Sequence, residues 1–488
     1  MSAGMEFVLL TFMGLPLLMV LLNNLLKKEI AQKICLSLGI IAGIVQMAAA
    51  VFVFASLKAA GQTEADFSQF WDLGVGASRF SVDFFSLLVL FCIGMVITAG
   101  FLTAGKTLGD KKFNFTNLAM ILLLGMNGIA LVTDLFSLYV FLEITGVASF
   151  VMISLNKEGD GIEGAFKYLV MSAIATVFIL GGLAFLFMQS GSLQYGDVAA
   201  ALSDWQYAEQ PALLIAGFVL VLVGFSIKSG VMPFHGWLPD AYQSAPAAVS
   251  VILGGIVTKM AGVYALLRLT ADIFVNVPVF NQILMLLAIV SIVLGAVAAI
   301  TQTDFKRILA YSSISQIGYI LLGASCGSAV GLIGAMLHFF NHATFKTTLF
   351  VNSAAVEIAT GTTEIEKLGG LQEKMPVTGV SSILAFLSTA GIPPLAGFWS
   401  KLLIIIAAWQ TGNVFIAGLA LFASIFTAAY FLRLQRCVFF GPAVEGLEDT
   451  KEVTGGVCLS SLALSAITVG FGLLFPALLL FLQGQGLI

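Results

Sequence analysis

SIKSGVMPFHGWLPDAYQSAPAAVS, residues 226–250, closes one apolar run and opens the next, with a lysine where the first run ends. Lys228 follows an apolar stretch that starts near 211, and Ser229-Gly230 and Pro233 then break the helix. STAGIPPLAGFWSK, residues 388–401, does the same to a second apolar run at Gly391 through Pro393 and Pro394, shortly before Lys401. Two Gly/Pro-interrupted helices in corresponding places point to an inverted-repeat transporter and its ion site. Backbone freed by such a break is tolerated at mid-membrane only beside a cavity.

The whole chain reads as lipid-embedded. Of 488 residues 59% are apolar and 10% charged, against about 25% charged in a soluble domain. A mean hydropathy of +1.04 and ~20 residues per span predict an all-α polytopic membrane protein. Apolar runs place fourteen helices, near 5–26, 32–57, 81–104, 114–132, 135–155, 163–189, 211–232, 245–270, 280–302, 307–326, 329–355, 376–410, 412–438 and 455–482. They form one membrane domain, 1–488, with repeats at 114–270 (helices 4–8) and 280–438 (helices 9–13). The interrupted helices are the seventh and twelfth, so the repeats are expected to be inverted relative to each other.

Lys and Arg in the loops support that count. Fifteen, from Lys27 to Lys451, fall on one set of alternate loops, and three, Lys58, Arg79 and Arg268, on the other. By the positive-inside rule both termini lie outside the cytoplasm, in a prokaryotic inner membrane. No Lys/Arg block offers a nucleic-acid footprint. The five cysteines have no metal-ligand spacing, and no phosphate-binding glycine motif is present. The run from Phe7 to Leu26 is too long for a signal-peptide core and reads as a retained helix. No cofactor, metal or catalytic site of the chain's own is expected.

Function then rests on the polar residues left inside the lipid. Lys228, Lys259, Lys346 and Lys401 are embedded in or close to apolar helices, and Glu143 sits well inside LYVFLEITGVASF. Intramembrane charges normally face a bundle interior or wet cavity and mark an ion path. Glu143 and Lys228 are the natural ion pair, whose approach and separation would give the lysine two proton affinities. His338, His342 and Lys346, at i, i+4 and i+8 in LHFFNHATFKTTLF, share one helical face within ~80°. Imidazole titrates near neutrality and passes protons between its ring nitrogens, so this face reads as a relay. His235 and Lys167 are candidate points of proton uptake.

At these residues the sequence resembles the antiporter-like, proton-translocating membrane subunits shared by respiratory complex I, membrane-bound hydrogenases and Mrp-type cation/proton antiporters. The carriers run from about Asp83 to Lys401: DLFSLYVFLE ending at Glu143, AFKYLVMSA around Lys167, IKSGVMPFHGWLPDAYQSAP around Lys228, VSVILGGIVTKMAGVYALLR around Lys259, QTDFKRILAYSSISQIGY from Gln302, HFFNHATFK around His338 and GIPPLAGFWSK ending at Lys401. The resemblance implies fourteen helices with two inverted five-helix repeats, each supplying a half-channel joined by a polar axis. It implies that Glu143 pairs with Lys228, that Lys259 links to the second half, and that Lys401 hands the proton onward. Gln316 stands where some relatives carry histidine, so the resemblance gives that position no proton-carrying role. With the chain ending at Ile488, a long lateral amphipathic helix is not expected.

The expected function is proton translocation in a multisubunit, redox-driven complex. Its partners would be other antiporter-like and small membrane subunits, soluble redox subunits and the bilayer. The alternative is membership of an Mrp-type sodium/proton antiporter. Sodium prefers several oxygen ligands, ideally carboxylates, and Glu143 is the one deep carboxylate the sequence offers. A stand-alone solute transporter would act when expressed alone, and a structural anchor has no reason to keep five deep charges.

Overall fold

The computed structural model describes residues 3–66, 80–203, 211–274 and 277–484, and Arg79 of the loop-charge pattern lies outside them. Seventeen helices are described. They are α1 (Ala3–Leu25), α2 (Lys28–Ala59), α3 (Phe84–Thr107), α4 (Lys112–Leu131), α5 (Leu135–Ile153), α6 (Gly159–Ser190), α7 (Tyr195–Ser203), α8 (Pro211–Ser229) and α9 (Trp237–Ser244). There follow α10 (Ala247–Ile273), α11 (Pro278–Thr301), α12 (Phe305–Ser325), α13 (Ala329–Thr360), α14 (Pro376–Ala390), α15 (Ala396–Gln410), α16 (Val414–Gln435) and α17 (Gly456–Gly484). Among the described residues eleven helices are long and apolar enough to cross a membrane, and Pro376–Ala390 and Ala396–Gln410 are shorter apolar helices.

Three features lie outside the sequence reading. That reading ends the seventh helix at 232 and begins the next at 245, whereas the structure places α9 between them. The α9 sequence, WLPDAYQS, has too few apolar residues to register as a membrane run. The amphipathic α7 and a short antiparallel ribbon, β1 (Glu64–Asp66) with β2 (Ser81–Asp83), are likewise unforeseen. The run expected over 376–410 is two helices, α14 and α15, parted at Gly391. Each break holds one cis proline bond, Met232-Pro233 and Pro393-Pro394.

Contacts divide the chain into two compact units. The first comprises Met1–Phe101, Leu108–Ser229 and Ile256–Phe280. Its helices α1 to α4 are stapled by a reciprocal amide pair. Gln46 Nε2 donates to Asn127 Oδ1 at 2.8 Å and to Leu90 O at 3.0 Å, and Asn127 Nδ2 donates to Gln46 Oε1 at 2.9 Å and to Phe12 O at 2.7 Å. Where apolar packing does not distinguish a neighbouring helix from lipid, such bonds fix which helices meet.

The second unit comprises Leu102–Thr107, Gly230–Gly255 and Asn281–Ile488. Its centre is α13, buried along most of its length and packed against α10, α12, α14, α15 and α17. Lys306 Nζ lies 2.8 Å from Glu357 Oε2 and donates to Ala245 O, while Arg307 donates to Asp240 at 2.7 Å and to Gln243 at 3.0 Å. These bonds tie the first turn of α12 to α13 through Glu357 and to α9 and its C-cap, Ala245.

The units share a local pattern displaced by 170 residues. α6 and α13 each end at a left-handed glycine, Gly191 (φ 69°) and Gly361 (φ 74°), a conformation that favours residues without Cβ. Just beyond, Leu135 N–H bonds Leu193 O and Tyr195 N–H bonds Thr133 O; Phe305 N–H bonds Thr363 O and Ile365 N–H bonds Thr303 O. Asp134 and Asp304 cap the preceding helices, α5 and α12, accepting from Ser137 N–H at 2.7 Å and Arg307 N–H at 2.9 Å.

Candidate functional site

In the first unit the last turn of α8 delivers Lys228 to a carboxylate on α5. Lys228 Nζ lies 2.9 Å from Glu143 Oε1, the side chains being 4% and 33% exposed. The same ammonium donates to Ser172 Oγ at 3.1 Å, and Thr176 Oγ1 donates to Glu143 Oε1 at 2.7 Å. Both hydroxyls come from α6, one turn apart. A buried ion pair needs such additional bonds, because desolvation of two charges otherwise cancels their attraction. Directly after Lys228 the chain turns out of the helix at Ser229-Gly230, with Gly230 at φ 65°. α10 approaches so closely here that a Cβ on Gly262 would collide with Ser229. Lys259, on the same helix, is fully buried. It opens a widened helical segment, Lys259–Tyr264, in which each backbone bond spans five residues.

In the second unit α13 supplies a buried polar face against α12, α15 and α16. His338 Nδ1 lies 2.9 Å from Ser400 Oγ, which also accepts from Asn341 Nδ2 at 2.9 Å. The His338 and His342 rings are 6.4 Å apart and nearly parallel, at 26°. Lys346 Nζ donates to Ser312 Oγ at 2.6 Å and to Leu309 O at 3.1 Å, and Ser312 Oγ lies 2.7 Å from Tyr430 OH. Lys401 Nζ sits 4.3 Å from the centroid of the Tyr319 ring and 3.4 Å from Ser424 Oγ. Tyr319 lies in turn 6.0 Å, ring to ring, from His338. His338 and Lys401 are therefore joined through one aromatic ring, an arrangement in which a cation meets the π face of its neighbour.

Of the remaining expected residues, His235 lies in the first break with its ring 6.0 Å from that of Tyr311. Lys167 forms a 2.7 Å pair with Glu163 on an exposed part of α6, whereas the Glu143 carboxylate is engaged by Lys228 and Thr176. Gln316 is fully buried in α12. Pro233, Pro393 and Pro394 lie in the breaks. Ser172, Thr176, Ser312, Tyr319, Ser400, Ser424 and Tyr430 complete the two clusters and were missed by the sequence reading, which sought charge. Their serines and threonines have no distinctive spacing, since hydroxyls in helices commonly satisfy themselves on the carbonyl one turn back.

Buried charges beside two broken helices, in a chain of apolar spans, define a polytopic ion-handling membrane protein. The chain belongs to the family described as NADH:quinone oxidoreductase/Mrp antiporter, TM, whose pattern matches residues 132–427. It is 33% identical to a Na(+)/H(+) antiporter subunit of Alkalihalophilus pseudofirmus over 80% of this chain and 79% of that one. It is 34% identical to an NADH-quinone oxidoreductase subunit of Desulforudis audaxviator over 71% and 69%. Its fold matches a chain of the Mrp complex from Dietzia sp. with a TM-score of 0.86 at 25% identity, covering 98% of this chain and 96% of that one. The protein is an integral membrane, antiporter-like subunit of this family.

Proposed function

We propose that the chain carries protons in a multisubunit membrane complex driven by redox chemistry in other subunits, along Glu143, Lys228, Lys259, His338, His342, Lys346 and Lys401. The observation that carries this reading is the 2.9 Å Lys228–Glu143 pair immediately before a broken helix. While the carboxylate is close, the ammonium keeps its proton. When it withdraws, a buried cation without its partner gives the proton up, to Lys259 and then to the histidine face. Lys401, beside the second break, discharges it outside, and renewed pairing favours reloading from the cytoplasm.

The proposal includes fourteen spans, inverted repeats and both termini outside a prokaryotic cytoplasmic membrane, supported by the loop charges and by bacterial relatives. It also includes antiporter-like and small membrane subunits and soluble redox subunits as partners. In reconstituted complexes Lys228→Met and Glu143→Gln are expected to lower proton pumping by roughly tenfold or more with assembly intact. Unchanged pumping in both sinks the reading.

A second reading, sodium/proton exchange, is favoured by the likeness to a sodium/proton antiporter subunit. A sodium requirement for proton flux in vesicles without any electron donor would establish it. Co-purifying polypeptides separate the hosts. A nickel–iron large subunit marks a hydrogenase, flavin and quinone-site subunits a complex I, and small membrane partners alone an Mrp assembly.

A further inference from the structure

A second set of charges in the first unit takes no part in the proton path from Glu143 to Lys401. Arg268 lies on α10, nine residues beyond Lys259, or roughly two turns along the partly widened helix. Asp83, at the end of β2, grips its guanidinium with two parallel bonds of 2.7 Å each. Ser86 Oγ accepts a third at 2.7 Å, and Tyr264 OH a fourth, from Nε, at 2.9 Å. The guanidinium carbon stands 5.2 Å from the Phe85 ring centroid and 5.3 Å from that of Tyr264, and Asp272 Oδ2 lies 3.7 Å from Nη1. Asp83 and Asp272 are each about one-third exposed, so this end of the unit reaches the surface.

Tyr264 stands between Lys259 and Arg268 and is buried. A hydroxyl passes a proton along a chain only if it donates onward to a group that accepts and then releases. The Tyr264 proton is donated to Ala130 O at 3.0 Å, a backbone carbonyl; its oxygen is engaged by Arg268, and the other hydroxyl within reach, Ser86 Oγ at 3.5 Å, is itself held by Arg268. Beyond it stands a guanidinium, which stays protonated at any physiological pH and offers no acceptor. A fixed arginine across a narrow route repels protons and other cations, as in selective pores.

We propose that Arg268, clamped by Asp83, is an electrostatic seal that stops a proton held at Lys259 from leaving at the Asp83–Asp272 end of the first unit. The seal rests on the reading of Lys259 as a proton carrier. It requires that the proton go elsewhere, so pumping through this chain is vectorial only while the arginine keeps its charge.

The test is passive proton leak in proteoliposomes of the purified complex, with an imposed pH step, a potassium diffusion potential, no electron donor and no sodium gradient. Arg268→Gln is expected to raise the leak by roughly tenfold. Arg268→Lys, which keeps the charge but loses the fork, and Asp83→Asn, which keeps the cation, are expected to stay as tight as the native complex. The neutral pair Asp83→Asn/Arg268→Gln preserves much of the hydrogen bonding and is expected to leak. Lys259→Met placed in either leaking variant is expected to restore tightness.

A tight neutral variant overturns the seal. So does a leak through Arg268→Lys or Asp83→Asn equal to that of Arg268→Gln, because packing rather than charge would then close the route. Persistence of the leak after Lys259→Met overturns it as well. None of these results depends on energised pumping, so a failure of the redox-driven reading in the Lys228→Met experiment is told apart from a failure of the seal.

Discussion

Ser400 carries no charge, yet it accepts from Asn341 and meets His338 Nδ1, while His338 Nε2 has no hydrogen-bond partner among the described residues. Ser400→Ala removes the one oxygen that orients the ring. The expected loss is about 1–3 kcal/mol, read as a lower Tm of the assembled complex, with slower proton flux beside it. Glu143, Lys228, His338 and Lys401 were legible in the sequence because charge in an apolar run is rare. Their hydroxyl and phenol partners were not, because which serine faces which lysine is decided by helix rotation. The Asp83 carboxyl makes stability depend on pH. Burial alone raises its carboxyl, but the hydrogen bonds and charge of Arg268, with Ser86, bring it below the usual carboxylate value. Its contribution to stability is therefore complete above the unfolded value of about 3.9 and is lost as the pH falls through the folded one. Thermal unfolding followed from about pH 6 down to pH 3 is expected to show an acid limb that is diminished in Asp83→Asn.

Element boundaries followed the same logic. Both breaks were readable, since Gly and Pro interrupt an apolar run by removing donors and permitting left-handed backbone. The eight residues of α9 were not, and neither were the widened turns of α10, which depend on how neighbouring helices pack. Gly262 shows how tight that packing is: its missing side chain makes room for Ser229, the residue next to Lys228. Gly262→Ala is expected to cost roughly 1–3 kcal/mol and to lower pumping by displacing the break. Gly418→Ala, on α16 with nothing within 4 Å of a new Cβ, is expected to leave Tm unchanged or slightly higher. Asp304→Ala removes the cap of α12 and its bond to Thr363, with an expected cost of about 1–2 kcal/mol in a melting experiment.

For the whole molecule, fold class and family were legible because apolar fraction, broken helices and motif spacing all agree. The division into two compact units was not, because α10 is a single uninterrupted apolar run whose residues up to Gly255 count with one unit and those from Ile256 with the other. α6 carries much of its surface uncovered, with Phe166, Val177 and Met188 strongly exposed, and Glu143 beside it is one-third exposed. The chain expressed alone is accordingly expected to show no proton transport in vesicles, and addition of its co-purifying subunits to restore it; transport by the isolated chain would contradict the subunit reading. The displacement of 170 residues reaches further than caps and clasps. Carried along α6 and α13 it sets Tyr168 on His338, Ser172 on His342 and Thr176 on Lys346. At these positions α6 carries three hydroxyls, of which Ser172 and Thr176 bond the Lys228–Glu143 pair, whereas α13 carries two imidazoles and an ammonium, the groups proposed to hold protons. The two helices share a spacing and differ in chemistry: one braces a charge, and the other, on the proposed reading, bears it.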